Sequence, residues 1–353
     1  MTDHLTGRFI DLAHHGGCSK KAPAGDLRKM FSSLAEAGVG ETISDIAAGF
    51  PDVGIFSLDQ VRAVSTVDIV LPMVLDAADF GEITVAHVLS DVYAGLARPA
   101  FALAILGVPK GRDSGDAQIV DLMAGAIRKL GEAGVALVGG HTMADQEDLF
   151  LGFAAVGTPN ARQQMTHNRA LADGDLLILT KPLGGSLASL RWKMDETASR
   201  AHADVLLSMK QLNSKASAIA SEFDVRGCTD VTGYGLTGHL HNLLLSSNCS
   251  AVLDIARIPI FESVRTIEET DVMQTRQYWH NLEYVSSYMV GADALSELQR
   301  TCFVDSQVSG GLLIAISAKS SSAYVSQCLQ QGVSAEVIGK VSSARRAGMI
   351  TFV

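Results

Sequence analysis

Asp79 to Val108 reads DFGEITVAHVLSDVYAGLARPAFALAILGV, and two different periods meet in it. From Asp79 to Ala97 the apolar residues Val85, Leu89, Val92 and Leu96 recur at three- and four-residue steps, the spacing of a helix with one face on a core. His87 and Asp91 stand four apart and share another face of the same helix. Phe101–Val108 is an unbroken apolar run of strand length, which predicts a buried strand. A helix followed at once by a buried strand implies a layered sheet-and-helix domain.

The flanks extend that alternation. Upstream, Arg62–Val74 (RAVSTVDIVLPMV) is β-branched and apolar, a strand with one interior polar step at Asp68. A short helix over Leu27–Ala37 precedes it, and residues 1–25, rich in Gly, His and Lys without a period, read as a flexible arm. Downstream come an amphipathic helix (Asp116–Ala133), a buried strand VALVGGH ended by Gly139 and Gly140, and a strand over Phe150–Val156. The polar stretch Gly157–Gly174 is the candidate boundary, giving domains at 26–160 and 170–353. The second half predicts strands at Asp175–Pro182, Ala251–Ile255, Gly311–Ile316 and Ala335–Gly339, and one long helix over Asp204–Phe223. The fold class is α+β, an α/β sandwich of two sheet domains.

Composition narrows the functions. Of 353 residues, 47% are apolar and 19% charged, which fills two cores and excludes disorder. A net charge of −10 argues against nucleic acid or an anionic membrane as a general partner. A polyphosphate ligand would need metal ions and a few placed cations or backbone N–H groups. No apolar run is long enough to span a bilayer, and the N-terminus lacks a signal-peptide layout. Five scattered cysteines without C-x-x-C spacing suit a reducing cytoplasm.

Several residues stand where chemistry is carried. Cys18 lies in His14-His15-Gly16-Gly17-Cys18-Ser19-Lys20-Lys21, and lysines beside a thiol favour the thiolate. Asp68, Asp91 and Asp230 fall within apolar or glycine-rich elements, where a carboxylate costs desolvation unless it is paired or binds a cation. Their hard oxygens suit Mg²⁺. Taken one at a time, aspartates more often cap helices or sit in solvent. Gly139-Gly140-His141-Thr142 offers backbone N–H groups to a phosphate. Thr229-Asp230-Val231-Thr232-Gly233-Tyr234-Gly235-Leu236 runs straight into a helix, whose N-terminus favours anions. Neither glycine stretch has the spacing of a P-loop or a dinucleotide fingerprint.

In this order the pieces resemble the signatures of the selenophosphate synthetases (selenide, water dikinases), in the aminoimidazole ribonucleotide synthetase-like superfamily. The series runs from Gly17-Cys18 with Lys20 and Lys21 through Ser65-Thr66-Val67-Asp68, Asp79-Phe80-Gly81, Ser90-Asp91, Ala104–Pro109 and Gly139–Thr142. It continues with Leu179-Thr180-Lys181-Pro182-Leu183-Gly184, Thr229–Leu236, Thr275-Arg276 and Asp305–Gly311. The resemblance implies an ATP-using enzyme converting selenide and water to selenophosphate, orthophosphate and AMP, with Mg²⁺ and usually K⁺. It implies a homodimer whose N-terminal sheets form a shared barrel, with a C-terminal domain of sheet plus helices. On this chain it makes Cys18 the catalytic cysteine and Lys21 (or Lys20) the essential lysine. Asp68 and Asp91 fall at nucleotide and metal positions, Gly139, Gly140 and His141 at a nucleotide loop, and Asp230 at a second metal position.

The chain also departs from that pattern. The paired aspartates of the family correspond to Ser44-Asp45-Ile46, so that either Asp45 is the remaining metal and nucleotide ligand or Ile46 has replaced it. Gly49–Gln60 reads as an insertion. Ser19 stands at a second cysteine, His87 at an asparagine, and Val67 and Val308 at threonines. The alternatives are a relative phosphorylating another small nucleophile, which would not need Cys18, and a nucleotide-binding regulator without catalysis, which loss of the acid at Ile46 would produce.

Overall fold

The computed structural model describes residues 8–14, 16–17, 22, 24–34, 52–58, 61–159, 171–343 and 346–353. Its first half runs α1 (Ala24–Leu34), β1 (Gly54–Leu58), β2 (Val61–Val70), α2 (Ala77–Ala94), β3 (Ala97–Pro109), α3 (Ala117–Glu132), β4 (Ala136–Gln146) and β5 (Phe150–Pro159). The strands form a mixed sheet in the order β1-β2-β5-β3-β4, in which β3 and β4 are parallel and the other neighbours antiparallel.

The Asp79–Val108 stretch decides this half as expected. Asp76 caps α2 by accepting the Asp79 N–H at 2.8 Å. The helix ends at Ala94 because Leu96 takes a left-handed conformation, φ 52°, which stops propagation short of the expected Ala97. Val85, Leu89 and Val92 are buried, but so are His87 and Asp91 on the other face. A helix buried on all sides lies between layers. Here one side packs on β2, β3 and β5, and another meets elements of the second half.

That second half runs β6 (Leu176–Leu179), α4 (Gly185–Met194), α5 (Ala203–Lys210), α6 (Ser214–Ala220), β7 (Val225–Asp230), α7 (Gly235–Ser246), β8 (Cys249–Leu253), α8 (Arg276–Val285), β9 (Met289–Val290), α9 (Glu297–Val304), β10 (Leu312–Ile316), α10 (Ala318–Gln330), β11 (Glu336–Ser343) and β12 (Ile350–Phe352). Its sheet has the order β7-β10-β6-β11-β8-β12-β9. Every residue of β10 is buried, which is why central strands of this sheet read as apolar runs without alternation.

Two readings are corrected. The helix expected over Asp204–Phe223 breaks into α5 and α6 at Gln211–Asn213. The buried Lys181 ammonium takes the Gln211 carbonyl at 2.7 Å, and Asn213 turns inward to Ser90 Oγ and the Gly310 carbonyl, both at 2.8 Å. Tertiary hydrogen bonds override helix propensity there. Within Gly49–Gln60, the stretch read as an insertion, residues Gly54–Leu58 form β1, a regular antiparallel partner of β2. β4 is an exposed edge strand, not a buried one.

α2 and α3 approach so closely that a Cβ on Gly125 would lie 2.0 Å from the Ala78 carbonyl oxygen, and one on Gly81 2.0 Å from that of Leu122. Gly125→Ala should gain about 1 kcal/mol in helix propensity and lose more by forcing the helices apart, for a net loss of about 1–3 kcal/mol. Urea unfolding measures it, and a variant more stable than the parent would contradict this packing.

Candidate active site

Strand alternation sends Thr66 and Asp68 to the α2 side of β2. Thr66 Oγ1 donates to Asp91 Oδ2 at 2.5 Å, fixing a carboxylate that is itself 8% exposed. Asp68 Oδ2 lies 3.3 Å from Nε2 of the buried His87. Asp68 and Asp91 therefore occupy one seam between β2 and α2.

Asp230 ends β7, 1% exposed. Ligand atoms of Asp52, Asp230 and His239 all lie within 4.8 Å of one another. Tyr234 N–H donates to His239 Nε2 at 3.3 Å, so the neutral ring carries its proton on Nδ1. Nδ1 stands 3.3 Å from Thr229 Oγ1, which in turn donates to Asp52 Oδ1 at 3.2 Å. With both ring nitrogens so engaged, the imidazole orients Thr229, which leaves the carboxylates as the candidate ligand oxygens. Two convergent carboxylates with a hydroxyl beside them fit Mg²⁺. Their negative field reaches Cys228, whose thiol is raised well above its ordinary range, first by burial and then by Asp52 and Asp230. Burial also pulls the Lys181 ammonium down to about 7, with Asp230 opposing the shift.

The two carboxylate groups share a neighbourhood. α2 packs against β7, and Val53, next to Asp52, sits at Gly95 just beyond the C-terminal turn of the Asp91 helix. Asp305, also buried, is pushed up to about 6 by desolvation against hydrogen bonds from Thr275 and Ser306. It braces the Ser306–Gly311 turn.

The root of the N-terminal arm is a packed element. Phe9 and Ile10 are buried, with the Phe9 ring 5.5 Å from that of Phe80. His14 Nδ1 is 2.7 Å from Asp148, and Lys193 Nζ donates to the Ala13 and His14 carbonyls at 2.7 and 3.1 Å. Gly17 bridges Leu71, three residues past Asp68. A side chain at Gly17 would meet Val308 Cγ2 at 2.8 Å, and its φ of 63° suits glycine. Cys18, Lys20, Lys21 and Asp45 lie outside the described residues.

Gly139, Gly140 and His141 form no loop; they lie mid-strand in β4. Register runs Asp68–Phe153–Ala104–Gly140 across four strands, so Gly140 is three strand spacings, about 14 Å, from Asp68. One chain does not bring these residues to its own carboxylates. Sequence reasoning missed Asp52 and His239. The signal for Asp52 is Asp52-Val53-Gly54-Ile55-Phe56, an acid opening a short apolar strand just before β2.

Residues 51–158 match the family model of AIR synthase related protein, N-terminal domain, and residues 172–351 match that of its C-terminal domain. Fold and site thus define an AIR synthase-related protein. Thiamine-monophosphate kinase from Stenotrophomonas maltophilia K279a shares the fold with a TM-score of 0.64 and 19% identity, over 90% of this chain and 96% of that one. Hydrogenase maturation protein HypE, in a crystal structure with ATP, does so with a TM-score of 0.62 and 17% identity, over 84% and 83%. Selenide, water dikinase of Myxococcus xanthus (strain DK1622) is 33% identical over 349 residues, covering 96% of this chain and 95% of its own. The chain belongs to the selenide, water dikinase family.

Asp52→Asn should weaken Mn²⁺ binding in the presence of a non-hydrolysable ATP analogue by about a hundredfold, and Thr229→Val by about tenfold. Asp45→Asn should leave it unchanged. Electron paramagnetic resonance of free Mn²⁺ reads the result, and loss with Asp45→Asn but not Asp52→Asn reverses the assignment.

Proposed function

We propose that this chain is itself a selenide, water dikinase: the γ-phosphoryl of ATP passes to selenide to give selenophosphate, and water then cleaves the β-phosphoryl from the remaining ADP to give orthophosphate and AMP. The observation that carries this reading is the approach of Asp52 to Asp230, joined to the Thr66–Asp91 and His87–Asp68 pairs at the same domain junction. Phosphoryl transfer asks mainly for positioning and charge neutralisation. When bound, Mg²⁺ supplies that neutralisation to the phosphates. Asp52 and Asp230 are the residues that would hold it, with Asp91 a further carboxylate beside them. Asp68 is assigned to the nucleotide. The chain's own task is to fix these oxygens and to exclude water.

Cys18 and Lys21, with Lys20 beside it, are assigned the catalytic roles on the arm. Support comes from Gly17, which bridges Leu71 just past the end of β2, the strand that bears Asp68. Selenide is already a strong nucleophile, and an arm clasped by Lys193 and Asp148 at its root delivers it without having to activate it. K⁺ is the expected activating monovalent ion. A cytoplasmic location is proposed. It agrees with Cys228, Cys249, Cys302 and Cys328 being outside any disulfide, and among the described residues no helix is long and apolar enough to cross a membrane.

A homodimer completes the proposal. The face of the first sheet opposite α2 exposes Val67 (59%), Ile69 (44%) and Leu103 (39%), with Ala154 and Gly152 in the same register rows. Val138, 58% exposed, lies on the β4 edge. A second copy covering this face would remove a large apolar patch from water and could receive Gly139–His141 at its own nucleotide. Val67→Asp should convert a dimer to monomers in analytical ultracentrifugation, and an unchanged sedimentation coefficient would contradict the assigned face.

The activity is tested anaerobically with ATP, Mg²⁺, K⁺ and sodium selenide, followed by phosphorus NMR. Selenophosphate and AMP should appear together, and neither should form with Cys18→Ala. ADP without AMP would instead favour a kinase acting on another small nucleophile.

A further inference from the structure

His87 is fully buried on α2, between the two halves of the molecule. Its Nδ1 accepts the backbone N–H of Ser309 at 3.1 Å, so the neutral ring carries its proton on Nε2. That nitrogen stands 3.3 Å from Asp68 Oδ2. Ser309 is itself held tightly. It adopts φ 51° without being glycine, is 1% exposed, and its carbonyl accepts from Lys181 Nζ at 2.9 Å. A continuous set of contacts thus runs from the end of β6 through the 305–311 turn and α2 to the carboxylate on β2.

We propose that His87 is a positioning residue. It holds the Asp68 carboxylate in the orientation that meets ATP, and makes that orientation depend on the C-terminal turn at Ser309. The inference rests on the reading of Asp68 as a nucleotide-binding carboxylate. The terminal torsion of an aspartate is broad and two-fold, so a strand alone does not fix its oxygens. A hydrogen bond from a rigid ring does, and a bond to an ionised acceptor is among the stronger kinds. The ring is fixed in turn by a backbone N–H that has no freedom to move away.

The two nitrogens are separable by substitution. In His87→Gln the side-chain amide places a donor near the former Nε2 and leaves Ser309 N–H without its acceptor; His87→Leu removes both groups. Both variants should lose thermal stability to a similar degree without ligand, because both strand the same buried N–H. Binding of a non-hydrolysable ATP analogue, measured by calorimetry, should weaken about tenfold in His87→Leu and stay within about twofold of the parent in His87→Gln. The KM for ATP should rise in His87→Leu while kcat stays within about twofold. Should His87→Leu not fold, His87→Ala takes its place with the same expectation. If the leucine and glutamine variants bind the analogue equally well, whereas Asp68→Ala binds it weakly, His87 is only structural and the proposal is overturned. If Asp68→Ala binds like the parent, the nucleotide role of Asp68 fails and the inference goes with it.

Discussion

Two carboxylates brought together inside a protein of net charge −10 are the constraint around which the seam between the halves is organised. Asp52 enters β1 of the first sheet and Asp230 leaves β7 of the second, so their approach needs both domains in place. Like charges at such range in a buried setting repel strongly unless a cation or protons intervene. The surrounding groups are arranged to orient those oxygens, through Thr229, His239 and the Tyr234 backbone. That is the pattern of a cation site supported by outer contacts.

The central helix makes the junction rigid. One side of α2 belongs to the first sheet, and the other meets Asn213, Ser217 and Ser309 through Ser90, the Tyr93 carbonyl and His87. The ionic contacts of Lys210 with Asp79 and Glu82 close the same seam nearer solvent. The carboxylates of Asp68, Asp91 and Asp230 are thus set by one helix and the strands on either side of it. The opposite face of the first sheet is left apolar and exposed at Val67, Ile69 and Leu103.

Much of this was legible in the sequence, for definite reasons. The three- and four-residue spacing over Val85–Val92 reports a helix on a core whatever surrounds it, and Asp68 and Asp91 stood out because an acid inside an apolar element is costly. The break between α5 and α6 was not legible. Its cause is Lys181, 30 residues away, reaching the Gln211 carbonyl. Asp52 was hidden because a five-residue strand leaves little periodic signal. The exposure of β4 was invisible for another reason. An apolar edge strand and an apolar buried strand read alike, and only the topology tells which has neighbours on both sides. His239 could not have been found from spacing, since its part depends on a hydrogen bond from the Tyr234 backbone.

A crystal structure of the full-length protein with a non-hydrolysable ATP analogue and Mn²⁺, with anomalous scattering collected at the manganese edge, tests the central claim most directly. A peak bound jointly by Asp52 and Asp230, with phosphate oxygens on its remaining positions, is the predicted result. Metal found only on the phosphates, with those two carboxylates turned away from it, would contradict the account.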